Sequence, residues 1–369
     1  MLKIFKVVYN YLKTSDKFLL VCTLLCATTG ILMVNSATLV TGSHSQVVVQ
    51  TVAAVIGIGF MILLSSLNYS IWDQASKILF LVSVGILILT LIFADVVNGS
   101  KSWIRIFGIS IQPSEFVKIL YIMTLASHLS SVDDDINKLP NALLIAGHIL
   151  AYVLLVYLQG DMGTAIVYLV IGLIMLLIAG LNWKYFAALG ASLIPIGFIL
   201  FKFVLDEYQI RRIMVIFNPE LDPLNYGWQT IRSVTAIGSG QVLGQGYADG
   251  LMTQRGLIPA IENDSIFAVV GEELGFIGSV LILLLLTALL IRILRVSTLS
   301  RDPNGTYLCI GVFAMLMFQM VENIGMSLGM LPIIGITLPF FSAGGSSMIT
   351  VFAAIGLVIA VYRTKTIFD

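Results

Sequence analysis

The sequence predicts an all-α, polytopic membrane protein of about ten spanning helices, with a long extracytoplasmic loop between the seventh and eighth. Three observations carry this. Of 369 residues, 58% are hydrophobic and only 11% are charged. Mean hydropathy is +1.01, outside the composition of ordinary soluble domains. Apolar runs of about 20 residues, the length needed to cross the hydrocarbon core, recur along the chain. They fall near 18–36, 46–67, 75–94, 113–131, 140–158, 162–180, 184–204, 265–291, 304–330 and 338–362.

The first run has the basic flank of a secretory signal peptide, but nine more runs follow and no A-x-A-like site ends it, so it reads as a span. Cys22, Cys26 and Cys309 lie inside apolar runs and read as small hydrophobes. His44, His128 and His148 are scattered, which does not suit a zinc site. The formal net charge is zero, so nothing points to nucleic acid as a partner. Lys3, Lys6, Lys13 and Lys17 precede the first span, and Arg363 and Lys365 follow the last. Lys138, Lys184, Arg292, Arg295 and Arg301 fall on the same side, while the loops near 37–45, 159–162 and 331–338 carry no Lys or Arg. Both termini are therefore expected in the cytoplasm. The segments near 95–112 and 205–264 then lie outside. No linker or charge run divides the chain, so residues 1–369 read as one membrane domain. No internal repeat is evident, which weighs against an inverted-repeat transporter.

Polar motifs interrupt the spans at a few places. Ser43 to Gln46 reads as a plain loop cap between the first two spans. Pro113 suits a first helical position, and Glu115 complements that helix N-terminus. Glu115 and Lys118 are three apart and can pair on one face; the stretch is either a helix start with an internal ion pair or part of a site. Lys118, about a turn inside the span, favours the site. Asp133 to Asp135 with Lys138 read as a solvated loop. Asp161 is either the N-cap of the sixth span or a substrate residue.

The long outer segment opens with Arg211 and Arg212, passes Gln229, and reaches Ser239 among glycines at 238, 240, 244, 246 and 250. Glycines at that density allow positive φ and close approach to a ligand. Their spacing fits neither a Walker nor a Rossmann loop, so the segment reads as a mobile substrate-binding loop. Asn263 or Asp264 could simply cap the eighth span. If the helix begins at Asp264, then Asp264, Ala268 and Glu272 share a face, with Glu272 about two turns deeper. Two acids so placed suit a general base with an acid or metal partner, or an ion path. The last motif runs from Glu322 to Met326 and on through the Pro- and Gly-dense stretch 332–347, with Ser342, Gly344, Gly345 and Ser346. Irregular backbone at membrane depth must be buried in protein or line a cavity, so this turn is expected to face one. Under the assigned orientation the segments at 100–118, 159–164, 211–264 and 332–347 all lie at outer ends of spans, which points to one extracytoplasmic site.

QPSEFVK at 112–118, QGDMGT at 159–164, AIGSG at 236–240, GEELGF at 271–276 and LPFFSAGGSS at 338–347 together resemble the SEDS family (shape, elongation, division and sporulation), the family of RodA and FtsW. The resemblance covers about residues 18–362. It implies a ten-span peptidoglycan glycosyltransferase of the bacterial cytoplasmic membrane. Such an enzyme polymerises lipid II into glycan strands at the outer face, in elongation, division or sporulation. The family's essential acid lies in a P-E-x-x-x-D-F-I-F-type stretch. Pro259 to Phe267 matches it and puts that acid at Asp264. The implied reaction is inverting glycosyl transfer with Asp264 as base. The leaving diphosphate would be met by Lys118, by Arg211 or Arg212, or by a divalent cation, Mg or Mn, held by carboxylates. No organic cofactor is implied. Around Asp264 the expected substrate-binding residues are Glu115, Lys118, Asp161, Arg211, Arg212, Gln229, Ser239, Glu272, Ser342, Gly344, Gly345 and Ser346.

The chain departs from the family pattern at Ser265, where Phe is usual, and at Ala343, Gly160 and Arg232, where Tyr, Pro and Gln are common. Ser45 stands where an outer-loop Arg-Gln pair has its arginine. The implied partner is a class B penicillin-binding protein, a transpeptidase, beside the membrane lipids themselves. Two other classes are a flippase or transporter for the lipid-linked precursor, and a non-catalytic scaffold for a cell-wall synthase. Acids clustered at one leaflet argue against the first, and a scaffold has no need of Asp264 with Lys118.

Overall fold

The computed structural model describes residues 11–42, 45–97, 100–106, 109–191, 210, 214 and 226–368. In chain order the elements are α1 (Lys17–Thr38), α2 (Ser45–Ser66), the short α3 (Ser70–Gln74) and α4 (Ser76–Phe93). Three strands follow, β1 (Asp95–Val97), β2 (Ser100–Ile106) and β3 (Ile109–Ile111). Then come α5 (Pro113–Val132), α6 (Leu139–Leu158), α7 (Met162–Ile178), α8 (Tyr226–Ser239) and the single-turn α9 (Leu251–Gln254). The chain closes with α10 (Ile266–Ser297), α11 (Pro303–Ser327) and α12 (Gly345–Phe368).

Seven of the described helices are long and apolar enough to cross a membrane: α1, α2, α4, α6, α10, α11 and α12. α7 is apolar but shorter, at 17 residues. α5 has the length, but it buries Glu115 and Lys118 in its first two turns. The expected span 184–204 lies outside the described residues beyond Ala191, as do most of the outer segment and both Arg211 and Arg212.

α12 is the most enclosed span, with Val351 to Val361 all buried. It packs against α2, α5 and α11. The outward faces are apolar: Val48, Val52 and Val55 on α2 and Leu281 and Leu284 on α10 are exposed. A water-facing surface of that kind would be untenable, whereas acyl chains solvate it. One end of the bundle is fastened by charge. Asp16 Oδ1 accepts from Leu19 N at 2.9 Å and caps α1, while Oδ2 takes the Arg292 guanidinium of α10 at 2.6 Å.

Three backbone features were not legible as such in the sequence. First, the segment expected as a plain loop is a small antiparallel meander, β1-β2-β3, with Asp95 opposite Trp103 and Ile104 opposite Ile111. Lys101 N donates to Gln159 O at 2.7 Å, fixing the meander to the turn after α6. Second, α10 is broken at Gly275, whose φ of 66° and ψ of −164° interrupt the helix. Phe276 N and Ile277 N donate to Gln241 O and Val242 O at 2.8 and 3.1 Å. Glu272 O and Glu273 O accept from Gln245 N and Gly246 N at 2.9 and 3.1 Å. The glycine-rich loop thus replaces bonds that the helix loses, which is the condition for irregular backbone at this depth. A side chain at Gly275 would overlap Gly244 N. Third, the last span begins at Gly345 rather than near 338, and the preceding turn dives between helices. A Cβ on Gly30, midway along α1, would overlap the Phe340 carbonyl. Phe340 and Phe341 are buried accordingly.

Candidate active site at one end of the bundle

Asp264 lies just before α10, not within it: the helix starts at Ile266 and its N-cap is Ser265. The capping reading of Asn263 and Asp264 is therefore replaced, and so is the shared helical face with Ala268 and Glu272. Nor is the segment loose, because different elements pin successive residues. Gln46 Nε2 on α2 donates to Glu262 Oε1 at 3.1 Å, and Ala343 N donates to Glu262 O at 2.7 Å. Ser342 Oγ donates to Asn263 O at 2.7 Å. Asn323 Nδ2 on α11 donates to Asp264 O at 3.1 Å and to Ile336 O at 2.8 Å. Gln229 Nε2 on α8 donates to Ser265 Oγ at 3.1 Å. Asp264 itself is partly exposed. Its Oδ2 faces Gly335, where an added Cβ would stand 3.8 Å away. A carboxylate held on over-determined backbone yet open to solvent has the geometry of a general base.

The other polar motifs gather at the same end. Asp161 caps α7 through Thr164 N at 3.0 Å, as its residue type allows. Its second oxygen takes Gln112 Nε2 at 2.7 Å, and Gln112 N donates to Ser346 Oγ at 3.2 Å. The starts of α5, α7 and α12 are thereby joined. Gln50 on α2 completes the turn, donating to Ser342 O at 2.9 Å and accepting from Gly344 N at 3.0 Å. Gly345 rests on α2, where a Cβ would meet Val49 Cγ1 at 3.4 Å. Glu115 and Lys118 form the expected pair, Oε1 to Nζ 2.6 Å, with Lys118 1% exposed.

Glu272 and Ser239 serve the loop instead. Glu272 Oε1 accepts from Met252 N at 2.7 Å, and Oε2 accepts from Thr253 N and Thr253 Oγ1 at 2.9 and 2.7 Å. Its neighbour Glu273 accepts from Ser36 Oγ of α1 at 2.5 Å and from Ala248 N at 3.1 Å. Ser239 Oγ takes Gln245 Nε2 at 2.8 Å. The loop expected to be mobile is thus tied at many points to α10 and α1. Arg211 and Arg212 lie outside the described residues. Among the described residues no group of three or more His, Cys, Asp or Glu is placed to hold a metal ion.

The sequence reading passed over Gln50 and placed Glu322 and Asn323 in the last motif without a role for either, though all three are polar side chains set in apolar helices. That setting was itself the available signal. Glu322 is 2% exposed, and among the described residues neither of its carboxyl oxygens has a hydrogen-bond partner.

The family model for FtsW, RodA and SpoVE, described as a cell cycle protein family, matches residues 16–367. The chain belongs to the FtsW/RodA/SpoVE family. Stage V sporulation protein E of Bacillus subtilis is 36% identical over 362 residues, covering 95% of this chain and 98% of the relative. Peptidoglycan glycosyltransferase MrdB of Escherichia coli K12 is 31% identical over 312 residues, covering 84% and 83%. A chain in a solved structure concerned with how a peptidoglycan synthase complex coordinates polymerization and crosslinking superposes with a TM-score of 0.83. It is 28% identical and covers 95% of this chain and 98% of that one. As a SEDS family member the chain has the helical, multi-pass fold expected of it, and it carries a small β meander at one end.

Proposed function

We propose that this chain is a peptidoglycan glycosyltransferase that polymerises lipid II by inverting transfer at the outer face of the cytoplasmic membrane. Family membership and the relatives' activity support the reaction class. The observation that carries the site is Asp264, partly exposed on a segment pinned from α2, α8, α11 and the turn before α12. In the proposed step the acceptor sugar's 4-hydroxyl oxygen bonds to the anomeric carbon of the donor from the face opposite the leaving group. The bond from that carbon to the diphosphate oxygen breaks, and its electron pair departs with polyprenyl diphosphate. Asp264 takes the hydroxyl proton. Lys118, buried against Glu115 at the start of α5, supplies the positive charge for the leaving group, with Arg211 and Arg212 as further candidates.

The positive-inside distribution supports placing the Asp264 end outside and both termini in the cytoplasm. The likeness to a chain of a synthase complex supports a class B penicillin-binding protein as partner. The flippase reading asks for charge across the membrane midplane, whereas the motif acids gather at one end.

The test is glycan synthesis by the purified protein from lipid-linked disaccharide-pentapeptide, with and without the partner transpeptidase. Asp264→Asn should reduce polymer by about 100-fold or more while leaving the protein inserted and folded. Polymerisation by Asp264→Asn near the wild-type rate would remove Asp264 from the reaction.

A further inference from the structure

Side chains alternate along β2, so Lys101, Trp103 and Arg105 share one face of the meander while Ser102 and Ile104 share the other. The second face is turned inward. Ser102 is 1% exposed, Ser100 Oγ donates to Gln159 O at 3.2 Å, and Ile104 stands opposite Ile111. The first face is open, with Lys101 and Arg105 exposed and Trp103 partly buried between them. Asp95 on β1 stands opposite Trp103 and Ser110 on β3 opposite Arg105, and both are exposed. Among the described residues neither cation has an ion-pair partner, Asp95 included. The meander is tied at both ends to the polar network of the site. Lys101 N donates to Gln159 O at 2.7 Å, two residues before Asp161. β3 ends at Ile111, and the next residue, Gln112, reaches Asp161 at 2.7 Å and Ser346 at 3.2 Å.

We infer that this face docks the stem peptide of the lipid-linked substrate, with peptide carboxylates on Lys101 and Arg105 and the peptide backbone crossing Trp103. This rests on the reaction proposed above. Spacing decides what the face can hold. Four residues of strand set the two cations about 13 Å apart, too far for both to grip one phosphate group. The same distance is the reach of about four extended residues. A peptide joined to the disaccharide through its amino end keeps a free C-terminal carboxylate, and an acidic side chain within it supplies a second negative charge. Neither the sugars nor the prenyl chain offers such a spaced pair of charges. The Trp103 ring between the cations gives a rigid apolar surface with little entropy to lose. No reacting atom lies on this face, so it holds the ground state and the transition state alike. Its loss is therefore a loss of substrate binding, with the chemical step left intact.

The experiment is equilibrium binding of lipid-linked disaccharide-pentapeptide to the protein in phosphatidylcholine nanodiscs, with Lys101→Gln/Arg105→Gln beside wild type. The comparison ligand is the same lipid with its peptide carboxylates converted to carboxamides. Both substitutions are at exposed positions, so the double variant should insert and fold as wild type does. It should bind the carboxylate form about 5-fold more weakly and the carboxamide form as wild type does. Raising the salt should weaken wild-type binding of the carboxylate form towards that of the variant. In polymerisation the variant should show a raised KM for the carboxylate form and an unchanged kcat. Equal binding of the carboxylate form by wild type and variant would overturn the inference. So would an equal loss with both ligands, or a loss seen only when anionic phospholipid is added, which would make the face a contact for membrane headgroups. Binding is read without turnover, so absence of polymer from wild type would remove the proposed function while the binding comparison still decides the role of this face.

Discussion

Glu115 and Lys118 are both nearly inaccessible, and burying such a pair stabilises only when its geometry offsets two desolvations. One Glu115 oxygen meets Lys118 at 2.6 Å, while Oε2 is buried without a hydrogen-bond partner among the described residues. A pair held solely for stability has no reason to leave that acceptor unsatisfied. Lys118→Met should cost about 3–5 kcal/mol, because it strands a buried carboxylate. Adding Glu115→Gln should recover most of that stability, measured as thermal unfolding in detergent. The folded double variant should still make little glycan, since the charge near the leaving diphosphate is gone. Recovery of polymer in the double variant would reduce the pair to an internal strut.

Elements tell a different story for the GEELGF motif of α10. Glu272 looked like a second acid below Asp264, yet it gathers the N–H groups of Met252 and Thr253. Glu272→Gln would set an amide donor against those donors and should cost about 1.5–3 kcal/mol. KM for the lipid-linked substrate should rise more than kcat falls, because the loop and not the base is disturbed. A stable Glu272→Gln protein with kcat alone reduced would return Glu272 to the chemistry. The spans themselves were legible: hydropathy placed α1, α2, α4, α5 and α6 to within about two residues, since a run of hydrocarbon is a local property. The Glu115–Lys118 pair and Asp161's cap were legible too, because i to i+3 spacing decides both. The direction of Glu272 was not, as its partners lie 19 and 20 positions away in the chain. The meander escaped for another reason. β1 and β3 have three residues each, too few to show an alternation.

At the scale of the whole molecule, orientation is the property most open to direct measurement. Asp249 and Asp135 are both exposed, at opposite ends of the bundle, while Cys22, Cys26 and Cys309 are buried and should stay silent. Asp249→Cys should react with an impermeant thiol reagent in intact cells, and Asp135→Cys should react only after permeabilisation. The reverse pattern would put the Asp264 end in the cytoplasm. The break at Gly275 also bears on how such a molecule is assembled. A hydrocarbon environment leaves an interrupted helix no water to bond with, so Phe276, Ile277, Glu272 and Glu273 cannot give up their helical partners until residues 241–246 arrive. Span α10 must therefore enter the bilayer as an unbroken rod and fracture afterwards, when the preceding loop inserts its backbone. The loop is synthesised only about 30 residues earlier, so the exchange is local and its closure entropy modest. Maturation of the Asp264 end is, on this view, a late exchange of loop backbone for helical turn within a helix that is already in place.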